Sequence, residues 1–128
     1  MFFRHSVFAC LFALLALSSI AAAAPCAHVA AGVNPDVVHP GGTTTVTAVV
    51  KNCSAEREYV KIHFSAKSAC ATYGIGTTYL GLRIGETRKT SVSYNLPQNA
   101  CLGKHYVTAR VYYDGSLIAS STALLVVQ

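Results

Sequence analysis

The sequence predicts an all-β protein, a two-sheet sandwich of seven antiparallel strands, and three observations carry that reading. Apolar residues after Pro25 recur with a period of two rather than 3.6. No stretch of ten residues carries a helical stripe. Turn-forming Pro, Gly, Asn and Asp punctuate the chain at short intervals, as a sandwich of short strands requires.

Residues 27–34 form the first strand, which breaks at Pro35. Pro40, Gly41 and Gly42 turn the chain into residues 43–52, where Val46, Ala48 and Val50 share one face. In the third strand, residues 59–66, Val60, Ile62, Phe64 and Ala66 point inward, and Tyr59, Lys61, His63 and Ser65 outward. Residues 67–78, rich in Gly, Ser, Thr and Ala, read as a loop, and residues 79–83 as a short strand. Residues 87–96 place Thr90, Val92, Tyr94 and Leu96 on the core side until Pro97 ends the strand. From Gly103 the alternation resumes with His105, Val107, Ala109 and Val111 inward, and Asp114 with Gly115 supplies a hairpin turn. Residues 117–127 then pair back antiparallel.

Ahead of these strands, Arg4 and His5 precede an apolar run over residues 7–20 that closes in the alanines of residues 21–24, the pattern of a secretory signal peptide. Cleavage after Ala23 makes Pro25 the second mature residue, so residues 1–23 are the leader and residues 24–128 one domain. The apolar run is shorter than the roughly 20 residues of a membrane span. Cys26 follows Pro25 instead of the small residue that lipoprotein processing needs. The expectation is a secreted or periplasmic protein with no stable membrane anchor.

Without the leader, nine Lys and Arg face five Asp and Glu, and four cysteines and four histidines remain. The positive charge never forms a run, so nucleic acid is not an expected partner. Four cysteines in a small exported domain read as two disulfides.

Val33, Asn34 and Pro35, then Pro40, Gly41 and Gly42, the Thr and Val alternation ending at Asn52, Leu82 with Gly85, Glu86 and Thr87, and residues 103–111 carry a resemblance. Together they resemble the bacterial immunoglobulin-like sandwiches, especially the cell-adhesion-related domain of bacteria and its fibronectin type III-like relatives. The resemblance spans nearly all of the chain after the leader. It implies an immunoglobulin-like two-sheet sandwich and specifies fold more than activity. His105 stands where such domains place a Tyr in the penultimate strand, and the chain has no Trp.

Strand direction selects among the three pairings that four cysteines allow. In seven strands alternating up and down, the start of the first and the end of the second meet at one end of the sandwich, bringing Cys26 to Cys53. The end of the third and the start of the sixth meet at the other end, bringing Cys70 to Cys101. Pairing Cys53 with Cys101 would cross a strand of roughly 26 Å, against a bridged Cα separation of about 6 Å.

Little in the sequence points to chemistry. His28, His39, His63 and His105 fall on separate elements and no Met follows the leader, so neither metal nor cofactor is expected. His28, His39 and His63 read as surface residues and His105 as a core or corner residue held by a hydrogen bond. The acids Asp36, Glu56, Glu58, Glu86 and Asp114 fall at turns and strand edges, where none serves an obvious nucleophile. Gly74, Ile75 and Gly76 lead into no helix and read as flexible loop rather than phosphate cradle. The expectation is a protein that is not an enzyme.

The remaining constellation is Tyr59, Lys61 and His63 with Tyr106, Thr108, Arg110 and Tyr112, outward positions on two strands of one sheet. Tyr with Arg is the composition that interfaces favour. The expected function is an exported binding or adhesion module that recognises a protein or glycan through this face or through the loop at residues 67–78. One alternative is a carrier holding a lipid or other apolar ligand between the sheets, and another an inhibitor of exported proteases acting through its loops. Asn52, Cys53 and Ser54 spell a glycosylation sequon, relevant in a eukaryotic secretory pathway.

Overall fold

Eight strands and no helix make up residues 24–128, the part of the chain that the computed structural model describes. Residues 1–23, expected to be a leader, and Cys10 among them, lie outside the described residues. The strands are β1 (Ala27–Asn34), β2 (Val37–Val38), β3 (Thr43–Asn52), β4 (Glu58–Lys67), β5 (Thr72–Leu82), β6 (Thr87–Asn95), β7 (Gly103–Tyr113) and β8 (Ser116–Val127). One sheet has the order β1-β3-β6 and the other β2-β8-β7-β4-β5. This is the expected immunoglobulin-like two-sheet sandwich.

Two elements depart from the expectation. The additional β2 runs parallel to β8, pairing Val37 with Val126 and Val38 with Val127. Its two residues, between Pro35 and Pro40, are too few to show a period. The larger correction concerns the segment read as a loop at residues 67–78. Only residues 68–71 turn, and β5 begins at Thr72 and pairs with β4 along its whole length. Gly74 and Gly76 disguise this strand, but the register shift between Phe64 and Ser65 absorbs an extra residue there. Gly76 faces the opposite sheet, where a Cβ would meet Cγ1 of Val92 at an ordinary contact distance of 3.6 Å.

The core follows the alternation. Val46, Ala48 and Val50 on β3, Val60, Ile62, Phe64 and Ala66 on β4, and Val107, Ala109 and Val111 on β7 are all buried. Full burial of each larger aliphatic or Phe side chain contributes about 1.5–3 kcal/mol relative to exposure. On β6, Tyr94 is buried, as is Leu96 just beyond the strand, whereas Thr90 and Val92 are only half-buried because β6 is an edge strand. Ser65, expected to be exposed, is buried, and Nη1 of Arg110 donates to its Oγ at 2.7 Å.

Both expected disulfides form. Cys26–Cys53 closes one end of the sandwich with its Cα atoms 5.0 Å apart. Cys70–Cys101 closes the other at 6.1 Å. Two intramolecular bridges are compatible with an oxidising extracellular or periplasmic compartment.

At the first end the fully buried Asn52 organises two turns. Its Nδ2 donates to the carbonyls of Glu56 at 2.8 Å, Leu82 at 3.1 Å and Arg83 at 3.1 Å, and its Oδ1 accepts from the Ser54 amide at 2.8 Å. The sequon nitrogen is therefore an internal hydrogen-bond donor in the fold. Beside it, Glu58 is 2% exposed and its Oε1 accepts the Cys26 amide at 2.8 Å. At the second end Nε2 of the fully buried His105 donates to the Cys101 carbonyl at 2.7 Å. His105 is thus the hydrogen-bonded corner residue that the sequence suggested.

Candidate binding face

The expected face exists on the outside of the five-stranded sheet. In the register of β4 with β7, Lys61 faces Tyr112, His63 faces Arg110, Ser65 faces Thr108 and Lys67 faces Tyr106. Neighbouring strands lie about 4.8 Å apart, so each pair is in side-chain contact range. The six proposed site residues therefore share one surface, but they do not form one cluster. Tyr106 and Tyr112 are six residues apart on β7, a span of roughly 20 Å.

At one end of the face Tyr59, Lys61, Tyr79 and Tyr112, with Val60 and the turn residues Asp114 and Gly115, line an open groove of about 390 Å³. Tyr59 and Tyr79 are 69% and 75% exposed, unusually free for large rings. Tyr59 lies across β5 because position 81 is glycine. A Cβ there would stand 3.1 Å from Cε1 of the ring. The Lys61 ammonium sits 5.2 Å from the centre of the Tyr112 ring, a cation–π arrangement that holds both side chains at the groove wall.

The middle of the face is small and polar. Nδ1 of His63 lies 3.4 Å from Oγ1 of Thr77, and the Thr108 and Thr122 hydroxyls are 3.0 Å apart. Arg110 donates one N–H of its guanidinium to Ser65, which ties β7 to β4 and leaves its charge uncompensated by that partner. At the far end Tyr106 joins Lys67, Ser68, Ala69, Leu102 and Lys104 around a second open groove of about 550 Å³.

Tyr79, Leu102 and Lys104 went unrecognised in the sequence. Tyr79 was within reach, since it opens the short strand read over residues 79–83, but the segment before it, read as a loop, hid the pairing with β4 that brings it to this face. Leu102 follows a cysteine in a turn, where no periodicity reports on exposure. The four histidines fall on separate elements, as expected, and His28 is exposed. His28 lies beside the Cys26–Cys53 bridge, and its ring nitrogen and the two sulfurs all lie within 4.8 Å of one another.

No protein-family model and no curated protein matches the sequence. Solved structures do match the fold. The CARDB domain of a Pyrococcus furiosus protein, solved in complex with di-metal ions, superposes with a TM-score of 0.65 at 15% identity, over 81% of this chain and 89% of that domain. The sporulation control protein Spo0M from Bacillus subtilis gives 0.62 at 15% identity over 80% of this chain. A β-glucosidase from Erythrobacter marinus gives 0.67 at 9% identity over 81% of this chain. The chain spans 49% of the Spo0M chain and 16% of the glucosidase chain, so in those proteins the likeness is to a part. These similarities establish an immunoglobulin-like sandwich of the kind seen in CARDB domains.

Proposed function

We propose that the protein is an exported, non-catalytic binding or adhesion module that engages a protein or glycan through the outer face of its five-stranded sheet. One observation carries the reading: three tyrosines and a lysine on three adjacent strands converge on a single open groove. Rigid aromatic area with a positioned cation is the composition of binding hot spots. The likeness to a CARDB domain supports an adhesion-related role.

The acids support the non-catalytic part of the reading. Oε1 of Glu86 accepts the Arg83 amide within a turn, Glu58 holds the Cys26 amide, and Asp114 sits at a hairpin with φ 49°. Each has a structural task. Between the sheets, Ile62, Phe64, Leu82 and Leu125 are fully buried, which favours a surface site over the carriage of an apolar ligand.

The test is binding of the purified protein to an array of immobilised glycans and to exported surface proteins, compared with a Tyr59→Ala, Tyr79→Ala double variant. Both side chains are exposed, so the variant should melt within about 1 kcal/mol of the parent and lose at least tenfold in affinity, the loss of roughly 1.4 kcal/mol. Unchanged affinity for a bound partner would refute the groove. A tightly held lipid in the native mass spectrum of the exported protein would instead favour the carrier.

A further inference from the structure

We infer that Cys26, His28 and Cys53 form a thiol-gated site for monovalent copper, closed while the disulfide is intact and opened by its reduction. The ligand atoms of the three residues lie within 4.8 Å of one another. Thiolate sulfur with imidazole nitrogen is a soft donor set, which selects Cu(I) or Zn(II) over oxygen-seeking cations. Three donors satisfy Cu(I), whereas a closed zinc site takes four.

The backbone makes the site preorganised. Ala27 pairs with Asn52 and His28 with Lys51, so Cys26 and Cys53 stand opposite one another as the next pair of the β1–β3 ladder. The Cys53 amide donates to the Cys26 carbonyl at 3.1 Å, and the Cys26 amide donates to Glu58 at 2.8 Å. None of these bonds needs the S–S bond. When it is cut, the two thiols remain facing each other. His28, two residues from Cys26 along β1, stays on the same side of the strand. It is exposed, giving a metal a path in.

The chemistry balances with an external thiol as reductant. Two equivalents break the S–S bond, are themselves oxidised to a disulfide, and leave a proton on each protein sulfur. Cu(I) then displaces both protons to solvent and takes the lone pair of a neutral His28 ring nitrogen as its third donor. The Cys70–Cys101 bridge offers an internal contrast, because no histidine completes such a group around it among the described residues.

Anaerobic titration of the phosphine-reduced full chain with Cu(I), against a chromophoric Cu(I) chelator, tests the inference alongside native mass spectrometry and alkylation mapping. The expected result is one tight equivalent that protects Cys26 and Cys53 from alkylation and leaves the strand signal in circular dichroism intact. His28→Ala, a change at an exposed position, should weaken that equivalent by at least about tenfold, the lower bound for disturbing even an outer-shell partner. Zn(II) should protect the same cysteines less well. Equal affinity in the His28→Ala variant, protection of Cys70 and Cys101 instead, a preference for Zn(II), or loss of the strand signal on reduction would each overturn it.

Discussion

The two ends of the sandwich are closed by the same covalent device in different settings. Cys26 and Cys53 extend a regular antiparallel ladder, and the chain around them is held by Asn52, Glu58 and the amide of Cys53 itself. Cys70 belongs to a turn whose other hydrogen bonds, from Ser68 to Ala71 and from Cys70 to Ser68, are internal to it. There the bridge fastens a turn to the segment before β7. The contrast teaches that one crosslink restates a geometry the hydrogen bonds already impose, while the other creates one.

Removing either bridge is the most disruptive test of that contrast. The loops closed are similar, with sequence separations of 27 and 31. Chain entropy therefore assigns each double Cys→Ser variant a similar loss, about 3–4 kcal/mol in denaturant unfolding. The local consequences should differ. Amide exchange should quicken at residues 68–71 without Cys70–Cys101, whereas the backbone amide at position 53 should remain protected without Cys26–Cys53. Equal deprotection at both ends would erase the distinction.

Asn52→Ala comes next. It strips donors from three carbonyls and the acceptor from Ser54, with a penalty of about 3 kcal/mol and loosening of the turns at residues 53–57 and 83–86. His105→Ala removes a single hydrogen bond at the other end and leaves a cavity, for a loss of about 2 kcal/mol. A larger effect at His105 than at Asn52 in parallel urea titrations would reverse the ranking of the two ends.

The smallest effect has the opposite sign. Among the described residues the Tyr94 hydroxyl is buried without a partner, and burial, with Tyr73 beside it, raises its pKa above the ordinary phenol value. A raised folded pKa leaves stability intact below the unfolded value of about 10 and erodes it as pH climbs through the folded one. Tyr94→Phe should therefore be neutral or stabilising by up to about 1 kcal/mol near pH 7 and should flatten alkaline unfolding. Destabilisation at neutral pH would show that the hydroxyl has a water partner.

How much of this was legible in the sequence depended on periodicity. Residues on β3, β4 and β7 alternate cleanly, so their inward faces and the two bridges could be read directly. The Gly-rich β5 could not, because its pairing is dictated by β4 and Gly81 makes room for the Tyr59 ring. The outward face was legible residue by residue, since Tyr59, Lys61 and Tyr112 lie where alternation puts them. Its division into two grooves was not, because Tyr79 joins the face only through the pairing of β5 with β4, and Leu102 arrives from a turn without a periodic pattern. The meeting of His28 with a disulfide follows from its place two residues after Cys26, once the Cys26–Cys53 pairing is read.

The internal position of the Asn52 amide has a consequence for biosynthesis. An oligosaccharide is transferred to the sequon while a chain is still extended, before Nδ2 has found its three carbonyls. A glycan installed then would occupy a nitrogen that the finished fold keeps fully enclosed. Production in a eukaryotic secretory host would set modification in competition with folding, and the molecules modified first would be those unable to close this end of the sandwich.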